Sequence, residues 1–318
     1  MTQSCVFGPV PSRRLGRSLG VDLVPLKTCT YDCIYCQLGR TTHKTTDRKE
    51  WAPVKDILEE LERKIPASRP DYITLAGSGE PTLFSRMGEL IDRIRSITDI
   101  PIALLTNGSL LWRPDVRSQL MNVDLVIPSL DAGDETMFRA VNRPHESVSF
   151  RTMLSGLVDF RREFGGQYWL EVFLLAGYTA VEAEVAKLAE WARLIEPDRV
   201  QLNTVARPPA EDFAVGVARE RMVEFASMFD PPAEVIAGSR PPREEVEFSA
   251  SRGEILEMLR RRPCSIEDIA AGLGMHRHEV LKHIEDLSAR RLLRHTLANG
   301  ILYYATAEQY RRTAIREA

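Results

Sequence analysis

The chain has 318 residues, of which 44% are hydrophobic and 27% charged, and its net charge is -3. That length and apolar content support one large core plus a smaller domain, and they exclude disorder, collagen and coiled coil. The charge balance offers no overall attraction for nucleic acid or an acidic membrane, and the longest apolar stretches, 123–130 and 169–176, fall well short of the ~20 residues of a spanning helix.

Between residues 19 and 232, short β-branched apolar runs alternate with longer amphipathic runs, the order expected of repeated βα units around a parallel sheet. Strands are predicted at 20–25, 72–76, 102–106, 125–128, 168–175 and 199–204, and helices at 54–65, 86–97, 114–121, 150–164, 181–195 and 219–229. Six units fall short of a closed eight-strand barrel, so the fold class is α/β with a partial, TIM-like barrel. Polar and glycine-rich words follow the strands: Lys27-Thr28-Cys29, Gly77-Ser78-Gly79-Glu80-Pro81, Asn107-Gly108-Ser109, Ser129-Leu130-Asp131, Gly177-Tyr178-Thr179 and Asn203-Thr204. In parallel βα folds the C-terminal strand ends form one rim, which carries the site.

Pro231-Pro232, Gly238-Ser239 and Pro241-Pro242 mark a linker, taken as 233–248 between a first domain at 1–232 and a second at 249–318. The second domain is predicted as a helix at 252–261, a helix opened by Ser265 and Asp268 in a capping-box pattern and closed at 272–274, a helix at 276–290, and a hairpin of 292–297 with 301–305 turned by Asn299-Gly300. Helix, helix-turn-helix and hairpin in that order make a small α+β winged helix.

Residues 1–14 lack the basic-then-apolar order of a secretory signal, so the expected compartment is the cytoplasm, where cysteines need a chemical explanation. Three of the five, Cys29, Cys33 and Cys36, lie within eight residues just after the first strand, while Cys5 and Cys264 stand alone. Three thiolates on a cubane leave one iron open to chelate a substrate or cofactor. A zinc knuckle completed by His43 is the alternative.

The C-x3-C-x2-C loop after a first strand resembles the radical S-adenosylmethionine (SAM) superfamily, and the resemblance covers residues 6 to about 232. It implies a partial barrel of that type, a [4Fe-4S] cluster on Cys29, Cys33 and Cys36, SAM chelating the fourth iron, and an electron donor such as flavodoxin or ferredoxin. The words at 8–16, 37–40 and 77–82 look most like a group named for wybutosine-synthesis enzymes. Tyr35 sits where the family often has an aromatic near the adenine, or else packs the loop. Ser78-Gly79-Glu80-Pro81 resembles the family word that receives the methionine amine, with Ser78 in place of a glycine; Glu80 or exposed carbonyls can accept from an ammonium, and a tight turn is the plainer reading. Ser129, Asp131 and Asn107 are candidates for the ribose or methionyl groups, with Asp131 otherwise capping the next helix. The backbone at 204–206 is an alternative adenine edge.

Arg13, Arg14 and Arg17 form a flexible basic segment suited to a substrate phosphate or carboxylate, or to solvent. Arg139, Arg143 and His145 are candidates of the same kind, and Lys27 offers either a Schiff base or an exposed ion pair. Residues 251–318 carry 12 Lys+Arg against 9 Asp+Glu. Glu279, Glu285 and Asp286 interrupt the basic face of the second helix of the motif, which favours docking of protein or substrate over nucleic acid. The leading expectation is thus a radical SAM enzyme whose substrate is unidentified, and the alternative is an iron-sulfur redox or iron sensor acting on transcription through its winged helix.

Overall fold

A computed structural model describes residues 4–236 and 252–307. In chain order the elements are β1 (Val6–Ser12), β2 (Gly16–Val21), β3 (Thr28–Cys29), β4 (His43–Lys44), α1 (Val54–Ser68), β5 (Tyr72–Leu75), α2 (Met87–Ile97), β6 (Ile102–Thr106), α3 (Pro114–Arg117), β7 (Leu125–Pro128), α4 (Glu135–Val141), α5 (Phe150–Glu163), β8 (Gln167–Leu174), α6 (Glu182–Ile195), β9 (Arg199–Thr204), α7 (Arg219–Ala226), β10 (Glu234–Val235), α8 (Arg252–Arg261), α9 (Ile266–Leu273), α10 (Arg277–Ala289), β11 (Leu293–Ala298) and β12 (Ile301–Thr306). An eight-stranded sheet runs β1-β2-β5-β6-β7-β8-β9-β10, parallel throughout except for the antiparallel β1–β2 pair.

Several features differ from the sequence reading: β1 and α4 were not expected. The first parallel strand ends at Val21 and not Pro25, and the basic segment expected to be flexible is held in the β1–β2 hairpin: Arg14 in the turn pairs with Glu171, and Arg17 of β2 donates to the Ser68 carbonyl at 2.7 Å. The stretch read as linker also begins with a strand, since Glu234 and Val235 pair with Gln201 and Leu202. Residues 237–251, with Gly238-Ser239 and Pro241-Pro242, lie outside the described residues.

Alternation along the strands divides the sheet into two faces. Leu104, Val126, Leu170, Val172 and Leu202 enter the main core with α1, α2, α5, α6 and α7. Leu15, Ala103, Leu125 and Ile127 form a second cluster with Tyr72, Leu105 and Trp169. Further along β8 and β9, positions of that same second face carry Glu171, Gln201 and Asn203. Among the described residues no helix is long and apolar enough to cross a membrane.

The C-terminal segment has its own core around Leu259, Ile269, Val280, Ile284 and Leu287, and the Ser265–Asp268 capping box is formed. Val10 of β1 packs on this core. On α8, Arg261 is only 7% exposed; it donates to the Ser4 carbonyl at 2.8 Å, lies over the Phe7 ring at 4.5 Å and places Nε 3.9 Å from Asp22. Glu257, one turn earlier on α8, adds a carboxylate 3.3 Å from Nη1, and a guanidinium taken from water into such a seam stabilises only through partners of this kind. Arg261→Met keeps an apolar stem over Phe7 but strips both the Ser4 carbonyl and Asp22 of their cation, and should lower unfolding stability in urea by about 1–3 kcal/mol. A midpoint equal to that of the parent would show that the seam does not depend on the charge.

Candidate functional site

The cysteine loop leaves β2 and is tied down on every side. Lys27 N–H donates to the Ser78 carbonyl at 2.7 Å, β3 pairs with β4, and Thr45 N–H returns to the Cys29 carbonyl at 3.0 Å. Ile34 N–H donates to the Val141 carbonyl at 3.0 Å, and the Ile34 carbonyl accepts from Glu211 N–H at 3.0 Å. The geometry of the loop is therefore set by strand-end segments far away in sequence.

Each sulfur meets a donor or a positive charge. Asn107 Nδ2 lies 3.6 Å from Cys29 Sγ, Asn142 Nδ2 lies 3.5 Å from Cys33 Sγ, and the Lys27 charge acts on Cys36. Burial, then Glu80, push the Cys29 thiol up to about 12; burial, then Asp131, raise Cys33. Burial also raises Cys36, against a backbone N–H of Leu38 and the Lys27 charge. Thiols raised in this way stay protonated unless a cation replaces the proton, and sulfur acceptors facing amide donors are the environment in which iron-bound thiolates are found. The donor set fits a cluster. The zinc alternative needs His43 beside the cysteines, but its exposed ring packs edge-on to Trp51 with centroids 5.9 Å apart. Among the described residues no group of three or more His, Cys, Asp or Glu side chains is placed to hold a single metal ion.

The other candidates are brought to the same rim, several in roles the sequence does not announce. Ser78 turns to Asp22, which accepts its N–H at 2.9 Å and its hydroxyl. Gly79 lies so close to the Thr28 carbonyl that a Cβ would overlap it. Glu80 is buried: Oε1 accepts from Thr82 N–H at 3.0 Å, Thr82 Oγ1 at 2.6 Å and Thr106 Oγ1 at 2.6 Å, and Oε2 from Asn107 N–H at 2.8 Å. Through these four donors the Glu80 carboxylate joins the loops after β5 and β6. Asn107, expected at the ribose or methionyl group, faces the cysteine loop, giving its amide to Cys29 and to Thr30 Oγ1 at 2.8 Å.

Asp131 does not cap the next helix, because Asp134 does so by accepting Met137 N–H. Asp131 instead accepts from the Tyr35 hydroxyl and from Asn142 Nδ2 at 2.8 Å; burial raises its pKa to about 6. Tyr35 stacks on Phe173 of β8 with centroids 4.0 Å apart. Ser129 is half-exposed and bridges β8 at Glu171. The Ala206 carbonyl, part of the alternative adenine edge, accepts from Tyr303 of β12 at 2.7 Å. Lys27 is 5% exposed with φ 61°, so it is buried where an exposed position was expected. Arg139 pairs with Glu135, Arg143 with Glu211, and His145 meets Ser147 Oγ at 2.8 Å. Sequence reasoning missed Asp22, Asn142 and Phe173. Asp22, a carboxylate directly after an apolar strand, carried the one local signal; Asn142 carried none.

The family model of the radical SAM superfamily matches residues 23–192. The chain belongs to the radical SAM superfamily. As a member it is an enzyme whose cofactors are a [4Fe-4S] cluster and SAM. Membership of this enzyme family gives no support to the sensor reading. A UPF0026 protein of Methanocaldococcus jannaschii is 39% identical over 227 residues, covering 70% of each chain. A Brachyspira hyodysenteriae protein named GTPase Obg is 38% identical over 304 residues; that is 94% of this chain, which spans only 45% of that relative. The crystal structure of a radical SAM methyltransferase from Sphaerobacter thermophilus shares the fold, with a TM-score of 0.50, 20% identity and coverage of 69% of this chain and 66% of the other.

The Gly79 contact gives a sharp comparison. Gly79→Ala must push the loop off the Thr28 carbonyl and should both lower the melting temperature and reduce iron retained after anaerobic reconstitution, whereas Gly165→Ala, with nothing within 4 Å of its Cβ, should change neither. Iron content and melting curves measured side by side decide it; equal behaviour of the two variants would contradict the close approach.

Proposed function

We propose that Cys29, Cys33 and Cys36 hold a [4Fe-4S] cluster at the mouth of a six-unit partial barrel, and that SAM binds beside it on the rim formed by the loops after β5 to β8. When bound, the cluster supplies the electron that breaks a sulfur-carbon bond of SAM and starts radical chemistry on a substrate still to be identified. The observation that carries this reading is the delivery of a donor or cation to each of the three sulfurs of one loop.

In this reading Asn107 and Asn142 orient and stabilise the thiolates. Ser78, Gly79 and Glu80 shape the loop that meets the methionyl end of SAM, with Glu80 acting through Thr106 and Asn107 and not as a direct acceptor. Tyr35, held between Asp131 and Phe173, lies along the adenosyl side, and Ser129 is the half-exposed hydroxyl available to the ribose. Buried Tyr31 Oη and Asn142 Oδ1, which lack hydrogen-bond partners among the described residues, supply further donor and acceptor capacity at this loop.

Residues 1–232 then act as the SAM domain and 249–318 as a winged helix, supported by the order α8, α9, α10, β11, β12. The words at 8–16, 37–40 and 77–82 support a place in the wybutosine-like group, which leaves the substrate open. A flavodoxin- or ferredoxin-type protein is the proposed electron donor, and the five free thiols suit the reducing cytoplasm.

Anaerobically reconstituted protein should hold about four irons per chain and, with SAM and dithionite, release 5'-deoxyadenosine or another cleavage product. Cys29→Ala, Cys33→Ala and Cys36→Ala should each lose the cluster absorbance, while Cys5→Ala and Cys264→Ala keep it. Loss of iron in Cys264→Ala equal to that in the loop variants would overturn the three-cysteine assignment.

A further inference from the structure

The loop that leaves β9 runs between the cysteine loop and the C-terminal segment, and each of them holds it. Its neck is closed by Thr204, whose hydroxyl donates to the Leu174 carbonyl at 2.7 Å and accepts from Val217 N–H at 2.9 Å. On one side Glu211 N–H donates to the Ile34 carbonyl, and Arg207 Nη1 lies 3.4 Å from Oε1 of Gln37, the residue after Cys36. On the other side Arg207 Nη2 lies 3.2 Å from Asp268 Oδ1, and the Tyr303 hydroxyl donates to the Ala206 carbonyl at 2.7 Å. Val205 packs on the apolar cluster of Ile34 and Leu175 that Tyr35 and Phe173 also join, and Asn203 is paired beside Phe173 in the β8–β9 register. The stretch 203–207 thus adjoins the Tyr35–Phe173 stack at one end and the C-terminal segment at the other.

The two contacts from the C-terminal segment come from one piece of it. Tyr304 exchanges both backbone hydrogen bonds with Cys264, at 2.8 and 3.0 Å, which ties β12 to the start of α9, and the capping box with Ser265 holds the Asp268 carboxylate. Tyr303 is 6% exposed, and a hydroxyl taken out of water is costly unless it finds an acceptor such as this carbonyl. A loop without regular structure presents its backbone to a ligand in one geometry only where such contacts have already removed its freedom; otherwise the cost of ordering it falls on binding. We infer that Tyr303 and Asp268 are positioning residues for SAM: through Ala206 and Arg207 they set the 203–207 backbone against the adenosyl side, so that the C-terminal segment completes the cofactor site from outside the βα units. They act through the loop and need no contact with SAM; this rests on the reading that lays the adenosyl group along Tyr35 and Phe173.

The test is calorimetry with S-adenosylhomocysteine on full-length, anaerobically reconstituted protein, with iron content and a melting curve recorded for each variant. Tyr303→Phe, which keeps the ring and removes the hydroxyl, should weaken binding by about threefold to tenfold and leave iron content unchanged. In dithionite-driven cleavage the KM for SAM should rise by the same factor while kcat stays that of the parent. Asp268→Asn, whose side chain can still accept from Ser265 N–H, should shift affinity in the same direction and covers the case of a Tyr303→Phe protein that does not fold. Tyr304→Phe, on the opposite face of β12, should leave affinity unchanged. A role confined to packing lowers the melting temperature and leaves the affinity where it was, so parental affinity in both Tyr303→Phe and Asp268→Asn would overturn the inference. Loss of iron in step with the loss of affinity would overturn it too. A parent protein that retains iron but binds no S-adenosylhomocysteine would bring down the cofactor reading itself, and this inference with it.

Discussion

Asp22 and Glu80 are buried carboxylates beside neighbouring strand ends, and each offsets the cost of leaving water by accepting donors from other loops. Asp22 takes the backbone and hydroxyl of Ser78, and Glu80 takes Thr82, Thr106 and the Asn107 backbone. The loop between them is thereby held against the Thr28 carbonyl, which fixes where the cysteine loop starts. Asn107, positioned by its own bond to Glu80, then reaches Cys29. Burial raises the pKa of both acids, and the same donors pull in the opposite direction, so the network works by satisfying charge and not by exposing it to a ligand.

A second constraint comes from the open sheet. β1 and β10 are its edges, and an uncovered edge leaves backbone groups unpaired. The C-terminal segment packs on β1 through Val10 and Arg261, and bonds residues 206 and 207 beyond β9. It touches the β1 edge and the segment after β9, and its Arg261 Nε lies 3.9 Å from the Asp22 anchor itself. A segment that reads in sequence as an appendage is thus in contact with the groups that hold the site.

The regular parts of the fold were readable because their causes are local. The parallel strands at 102–106, 125–128 and 199–204 coincide with the predicted ones, since β-branched runs bounded by turn residues suffice to define them. The hairpin of Asn299-Gly300 and the capping box of Ser265 and Asp268 follow from chemistry within four residues. β1 escaped because Gly8, Pro9 and Pro11 read as breakers, yet the strand survives at an edge, where a missing N–H is tolerated.

By itself the sequence determined that three thiols share one loop after a strand, that polar words follow each strand, and that three helices and a hairpin come after the βα units, because spacing along a chain is preserved when it folds. Which side chain faces which was decided only by the tertiary structure. Glu80 and Asn107 look alike as polar residues at strand ends, but parallel strands bring them side by side, and burial then forces the carboxylate onto the nearest donors and leaves the amide for sulfur. Asn142 stands 109 residues from the cysteine it meets. No local pattern encodes that contact; it exists because α4 ends against the cysteine loop.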